Sequence, residues 1–155
     1  MNSHSYLAKE LFEKGYNCSQ SVFAAFCDVT GLDFETALKL SSSFGGGMGR
    51  LREVCGAVTA MFMIAGMKYG YTSPQNDELK AEHYKLVQML AFKFQEHNGS
   101  YICRELLGLD GADDPVPETR TEKYYQIRPC SGLVEYAAEL MDELIKNKLI
   151  SLALK

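Results

Sequence analysis

The chain has 155 residues, a formal net charge of −4, 46% hydrophobic and 23% charged residues. That length suits a single domain, residues 1–155, burying roughly two-thirds of the surface its unfolded form exposes, with no need of a disulfide or metal merely to fold. The acid excess, with no basic stripe interleaved with aromatics, argues against a nucleic-acid partner.

Taken in order, Leu7, Leu11 and Phe12 fall at helical spacing between Ser3 and Lys14, and Gly15 follows as a stop. Asn17 is placed to cap a second helix, CSQSVFAAFCDVT, that runs to Gly31. Asp33 caps a third, FETALKLSSSF, with Ala37, Leu38 and Leu40 as its apolar positions. A glycine run, Gly45 to Gly47, then leads into a long apolar helix from about Leu51 to Tyr69, ended by Gly70. Its apolar core, Val54 to Met67, is too short to span a bilayer and suits the centre of a bundle.

Pro74, Asn76 and Asp77 open a fifth helix to about His97, with Leu79, Leu86, Val87, Leu90 and Phe94 along one stripe. Ser100 caps a short helix, YICRELLG. The stretch LDGADDPVPETR reads as the longest loop, its Asp113–Asp114 pair solvated. A final helix runs from about Ser131 to Leu149 with Leu133, Ala137, Leu140, Met141, Leu144 and Ile145 on one face. No strand, repeat or linker stands out. The pattern predicts an all-α bundle of six to seven helices around the central apolar one. The opening MNSHSYLAKE has neither the basic and apolar regions of a signal peptide nor twin arginines, so the chain is expected to be soluble and cytoplasmic.

The five cysteines are Cys18, Cys27, Cys55, Cys103 and Cys130, with no C-x-x-C pair among them. In a reducing cytoplasm, clustered cysteines point to metal or redox chemistry rather than structural disulfides. Cys18, Cys55, Cys103 and Cys130 all fall at or near predicted helix N-termini. Unpaired N–H groups and the positive dipole end favour an anion there, so these thiols are expected to have lowered pKa values. Cys27 is nine residues after Cys18, on the opposite face of the second helix near Phe23 and Phe26, and reads as a small buried hydrophobe. The competing reading of the other four is that they too are core residues, cysteine being among the most buried types. The glycines beside Cys55, with Gly56, Ala57 and Ala60 thinning one side of its helix, speak against that by allowing close approach.

Cys18 in GYNCSQSV, Cys55 in CGAVTA, Cys103 in CRELLG and Cys130 before the last helix together resemble the C-GCAxxG-C-C family of redox-active four-cysteine proteins. The resemblance runs from about Gly15 to the C-terminal helix. It implies that these four are the family cysteines and that their thiols serve redox or metal-linked chemistry. Two positions depart from the motif: Val54 precedes Cys55 with Gly56 after it, and Ala60 stands where the motif closes on glycine.

Three mechanisms fit such a set. Four thiolates, Cys18, Cys55, Cys103 and Cys130, could hold an iron–sulfur cluster or other thiolate-bound metal for electron transfer with a redox partner protein, since soft sulfur ligands match iron. Alternatively, Cys55 and Cys18 could be redox thiols of a thiol–disulfide protein, Cys55 attacking with Arg50 and Arg52 favouring its thiolate. A zinc ion on the same four cysteines could instead staple a non-enzymatic adaptor module.

Other residues point less to chemistry. His83 lies on the apolar stripe of the fifth helix as a core histidine, while His4 and His97 sit at helix ends. Met48, Met61, Met63 and Met67 read as core filler. The triple glycine could cradle an anion, but without a preceding strand or a G-K-[ST] it is not a nucleotide loop.

Overall fold

Apolar residues at helical spacing, punctuated by caps and glycines, produce an all-α fold. The structure, a computed structural model, describes residues 3–153; Met1, Asn2, Leu154 and Lys155 of the expected 1–155 domain lie outside the described residues. In chain order the helices are α1 (His4–Glu13), α2 (Cys18–Ala25), α3 (Cys27–Thr30), α4 (Phe34–Ser41), α5 (Gly45–Met48), α6 (Gly56–Tyr69), α7 (Asp77–Asn98), α8 (Cys103–Leu107), α9 (Glu122–Ile127) and α10 (Cys130–Ala153). A 3₁₀ turn, Ser42–Phe44, joins α4 to α5. Among the described residues, no helix is long and apolar enough to cross a membrane.

Helix α6 is the centre, as its composition predicts. It is apolar all round, and Ala57, Val58, Ala60, Met61, Ile64 and Ala65 are fully enclosed. Helices α2, α7 and α10 pack around it, and α1 lies across α2 and α10. Phe12, Phe23, Phe26, Phe94, Leu90 and Met141 fill the space between them. Each such side chain stabilises the fold by roughly 1.5–3 kcal/mol on burial. Of the four methionines read as core filler, Met61 is fully buried and Met63 packs against the core, whereas Met67 and Met48 are exposed.

Of the caps anticipated from sequence, Asn17, Asp33 and Asn76 form; Ser100 does not cap the short helix α8, which starts at Cys103 behind Ile102, and its Oγ instead accepts the Ile102 N–H at 3.0 Å. Ser3, Asn17, Asp33 and Asn76 each accept a backbone N–H with a side-chain oxygen. Asn17 makes a full capping box with Gln20, its Oδ1 accepting from Gln20 N at 2.8 Å and its own N–H donating to Gln20 Oε1 at 3.2 Å.

Other boundaries also differ from expectation, among them the end of α4 at Ser41 rather than Phe44. The second helix breaks at Phe26 (φ −104°, ψ 25°), whose fully buried ring stacks on the His4 imidazole with centroids 4.1 Å apart. The same imidazole bonds Asp28 at 2.9 Å through Nε2 and Asp142 at 2.5 Å through Nδ1, tying α1 to α3 and α10. The central helix begins at Gly56 rather than Leu51, because Met48, Arg50 and Arg52 take left-handed conformations (φ 68°, 69° and 59°) that no helix continues. Finally, α9 occupies a stretch with no predicted helix; Thr121 caps it, accepting the Tyr124 N–H at 3.2 Å.

A four-cysteine cavity as candidate functional site

Each of the four cysteines sits at a helix start. Cys18, Cys103 and Cys130 are the first residues of α2, α8 and α10, and Cys55 is the N-cap of α6. The fold brings these ends together: Cys18, Cys55, Cys103 and Cys130 all line one cavity of about 270 Å³. Cys27 does not line it. It opens α3 and packs partly buried against the core, as a small hydrophobe would.

Close backbone approach makes the convergence possible. A Cβ on Gly56 would stand 2.5 Å from Cys18 Sγ, so only glycine lets the start of α6 meet the start of α2. Gly47, with φ +66°, would place a Cβ 2.6 Å from Cys103 Cβ and 2.8 Å from Glu53 N. The strap from Arg52 to Cys55 runs antiparallel to Tyr101–Arg104. Cys55 N donates to Tyr101 O at 2.9 Å, Cys103 N to Glu53 O at 2.6 Å and Arg104 N to Arg52 O at 3.1 Å. This short ladder holds Cys55 and Cys103 in register, with one isolated bridge, Val54 to Ile102, as its only regular β feature.

The helix starts do present N–H groups to sulfur. Gly46, Ser19 and Gly56 offer theirs to Cys18, and Ala57 and Val58 offer theirs to Cys55. At Cys18, Cys55 and Cys130 enclosure nonetheless outweighs them, which corrects the expectation of lowered pKa values for these three. Burial pushes the Cys18 thiol above its ordinary value, with the nearby Cys103 adding to the shift. Burial drives Cys55 well above, and the neighbouring Cys18 and Cys130 add to it. Cys130 is pushed up to about 12, again mainly by burial and then by Cys18 and Cys103, against the opposing charge of Arg128 and Arg120. Desolvation of a thiolate costs more than a few N–H groups return.

The cavity wall is cationic. Arg50, Arg52, Arg120 and Arg128 line it with a single carboxylate, Glu118. Arg52 does not serve Cys55, the partner expected from sequence; its Nη1 donates to Cys103 Sγ at 3.6 Å, and its Nε donates to Asp113 at 2.8 Å. Asp113 is therefore an ion-pair partner rather than a purely solvated loop residue. Arg50 donates from Nε to the Asp114 carbonyl at 2.7 Å and stands 3.7 Å from Asp113. Arg120 donates to the carbonyls of Phe12 and Tyr16, both at 3.1 Å, with its guanidinium 4.3 Å from the Phe12 ring centroid. Motif and spacing do not single out Arg120, Glu118, Tyr124 or Arg128. The available signal is PETRTEKYYQIRPC, in which two arginines and two tyrosines crowd the approach to Cys130.

The histidines take no part in the cavity. His4 is in the α1–α3–α10 clamp, and His97 stacks on Tyr136 with centroids 3.9 Å apart. His83 has a buried Nδ1 with no hydrogen-bond partner, so it is not the satisfied core histidine expected. All five cysteines are free thiols. Among the described residues, no three His, Cys, Asp or Glu side chains are grouped closely enough to hold one metal ion.

Helix starts that gather four thiols around one arginine-lined cavity define a cysteine-centred, all-α class of protein. The chain matches the model of the family described as "Putative redox-active protein (C_GCAxxG_C_C)" over residues 16–144, and it belongs to that family. None of the curated proteins and none of the solved structures matches it.

Proposed function

We propose that Cys18, Cys55, Cys103 and Cys130 act together as thiolate ligands of one polynuclear metal centre, an iron–sulfur cluster first among the candidates. In this reading the protein exchanges electrons with a redox partner protein. The observation that carries it is that four cysteines from four helix starts line a single cavity with four arginines. The donor set suits iron, which takes soft thiolate ligands. No three His, Cys, Asp or Glu side chains are grouped for one ion among the described residues, so the proposal rests on the shared cavity and the thiolate donor chemistry.

Burial raises the pKa of Cys18, Cys55 and Cys130, a cost to a free exchanging thiolate and to a ligating thiolate alike. Metal ligation deprotonates a thiol outright and releases its proton. When bound, the centre would supply one-electron chemistry. The arginines then offset the negative charge of four thiolates, and Phe12, Leu106 and Leu133 on the wall keep water from them. Five free thiols fit a reducing compartment, so a cytoplasmic location is proposed with the function.

Anaerobic purification or reconstitution, with iron and sulfide analysis and a visible spectrum, tests the proposal. Stoichiometric iron and sulfide, lost in Cys55→Ser and Cys103→Ser but kept in Cys27→Ser, are expected. A colourless protein that takes up no iron or sulfide under reconstitution overturns it. One observation favours a second reading, thiol–disulfide chemistry starting at Cys103: the Arg52 guanidinium donates to that sulfur. It requires a metal-free protein whose thiol count falls reversibly by two on mild oxidation.

A further inference from the structure

The ion pairs at the cavity mouth are unevenly built. Glu118 Oε1 receives Arg128 Nη2 directly and has Arg50 Nη1 and Arg52 Nη2 each at 4.0 Å. One carboxylate thus faces three guanidiniums. Among the described residues, the only other carboxylate paired with these arginines is Asp113, which engages Arg52 and Arg50, so positive charge remains in excess.

Exposure separates the two sides of this contact. The side chains of Arg52, Arg50 and Arg128 are 7%, 17% and 17% exposed, whereas Glu118 is 39% exposed. Glu118 also lies within Ala112–Thr119, a non-helical stretch in which every residue is exposed. Arg50 and Arg52 are held by Asp113 and Asp114 of this same stretch, so the part of the contact free to leave is the Glu118 side chain alone. Buried, preoriented guanidinium donors in excess of the carboxylates they meet, around an exposed acceptor, suit a receptor for oxygen anions. Arg52 further links this receptor to the thiols, since the guanidinium that faces Glu118 also donates to Cys103 Sγ.

The geometry points to an oxyanion-binding site at the cavity mouth, formed by Arg50, Arg52 and Arg128, that the Glu118 carboxylate fills in this structure and a small oxyanion fills when Glu118 swings out. The ligand class is a compact oxygen anion, either a tetrahedral inorganic oxoanion or the carboxylate of a small organic acid. A cavity of about 270 Å³ admits either. The inference rests on the proposed function only for the use it gives the anion, a substrate or effector held beside a redox centre. Binding itself needs the arginines alone.

The test is calorimetric titration of the full-length protein with sulfate and, separately, acetate, at constant ionic strength held by chloride. It is run on metal-free and on iron-reconstituted protein, so that failure of the cluster leaves the anion measurement standing. Glu118→Gln removes the internal competitor with little change in shape. It is expected to bind one of the two anions at least tenfold more tightly than wild type, and the anion bound says which source applies. Adding Arg128→Gln to that variant should abolish the gain. Equal binding in wild type and Glu118→Gln, or a gain that survives Arg128→Gln, overturns the inference. If Glu118→Gln does not fold, Glu118→Asp withdraws the carboxylate from Arg128 and should also bind more tightly than wild type; no gain there overturns it equally.

Discussion

Gly56 is built against the sulfur of Cys18. A Cβ on Gly56 would fall 2.5 Å from Cys18 Sγ, 2.7 Å from the Phe44 carbonyl oxygen and 3.1 Å from Ser19 N. A bare Cα is therefore what lets two helix starts touch, and that contact sets Cys18 and Cys55 on one cavity. The glycine that follows Cys55 in the chain serves the cysteine of a neighbouring helix.

Gly56→Ala tests this contact. Two of the three obstructing atoms belong to the backbone and cannot rotate away, so a loss of about 1–3 kcal/mol of stability is expected from overpacking. Adding Cys18→Ala should recover part of the loss, because Phe44 O stays in place. Urea denaturation of the single and double variants measures both effects. A Gly56→Ala protein with the wild-type midpoint would show that α2 and α6 do not meet this closely.

Arg52→Met removes the donor to Cys103 and the partner of Asp113. Hydrogen bonds to charged groups contribute about 1.5–3 kcal/mol, and the lower end is expected because Asp113, 34% exposed, can rehydrate. Urea denaturation of Arg52→Met and wild type measures this loss, and an unchanged midpoint would mean that Arg52 does not anchor Asp113.

The buried thiols predict a loss of stability in alkali. Cys18, Cys55 and Cys130 have folded-state pKa values raised above the ordinary 9.0, Cys130 to about 12. Folded protein then keeps protons that the unfolded chain releases, so this contribution is complete below pH 9 and disappears as pH rises through the folded values. In metal-free, reduced protein, thiolate absorbance near 240 nm should lag behind that of the urea-unfolded chain, and the urea midpoint should fall above pH 9. Coincident titration of the folded and unfolded chains would contradict the burial of these sulfurs.

His4 gives a second pH dependence in a lower window. Burial opposes its charge, but bonds to Asp28 and Asp142 prevail and raise its pKa above the ordinary 6.5. A raised folded value means that the stabilisation is full below pH 6.5 and is lost as pH rises through the folded pKa. Urea midpoints between pH 5.5 and 8.5 should decline for wild type, with His4→Gln both less stable at the acid end and flatter. Parallel curves for the two proteins would remove His4 from the clamp.

Much of the candidate site is legible locally. Asn17 ahead of Cys18 marks a helix start through short-range capping chemistry. The apolar run from Val58 to Ile64, with no polar face, can only be a central helix. Beyond Met48 the local signal fails: the left-handed conformations of Arg50 and Arg52 are held by contacts with Asp113 and Cys103, about sixty and fifty residues away, and no window around Leu51 contains them. The same limit explains why α6 starts five residues later than its composition suggests.

Identity and spacing are enough to say which cysteines begin helices, because a cap, its helix and its glycine stop lie within a few residues of one another. That their sulfurs share one cavity, that Arg52 faces Cys103 rather than Cys55, and that burial overrides the helix N-termini in setting the pKa values of Cys18, Cys55 and Cys130 are matters of tertiary packing. Charge and desolvation act through space, over distances the chain covers only by folding back on itself, so those properties come into view with the fold.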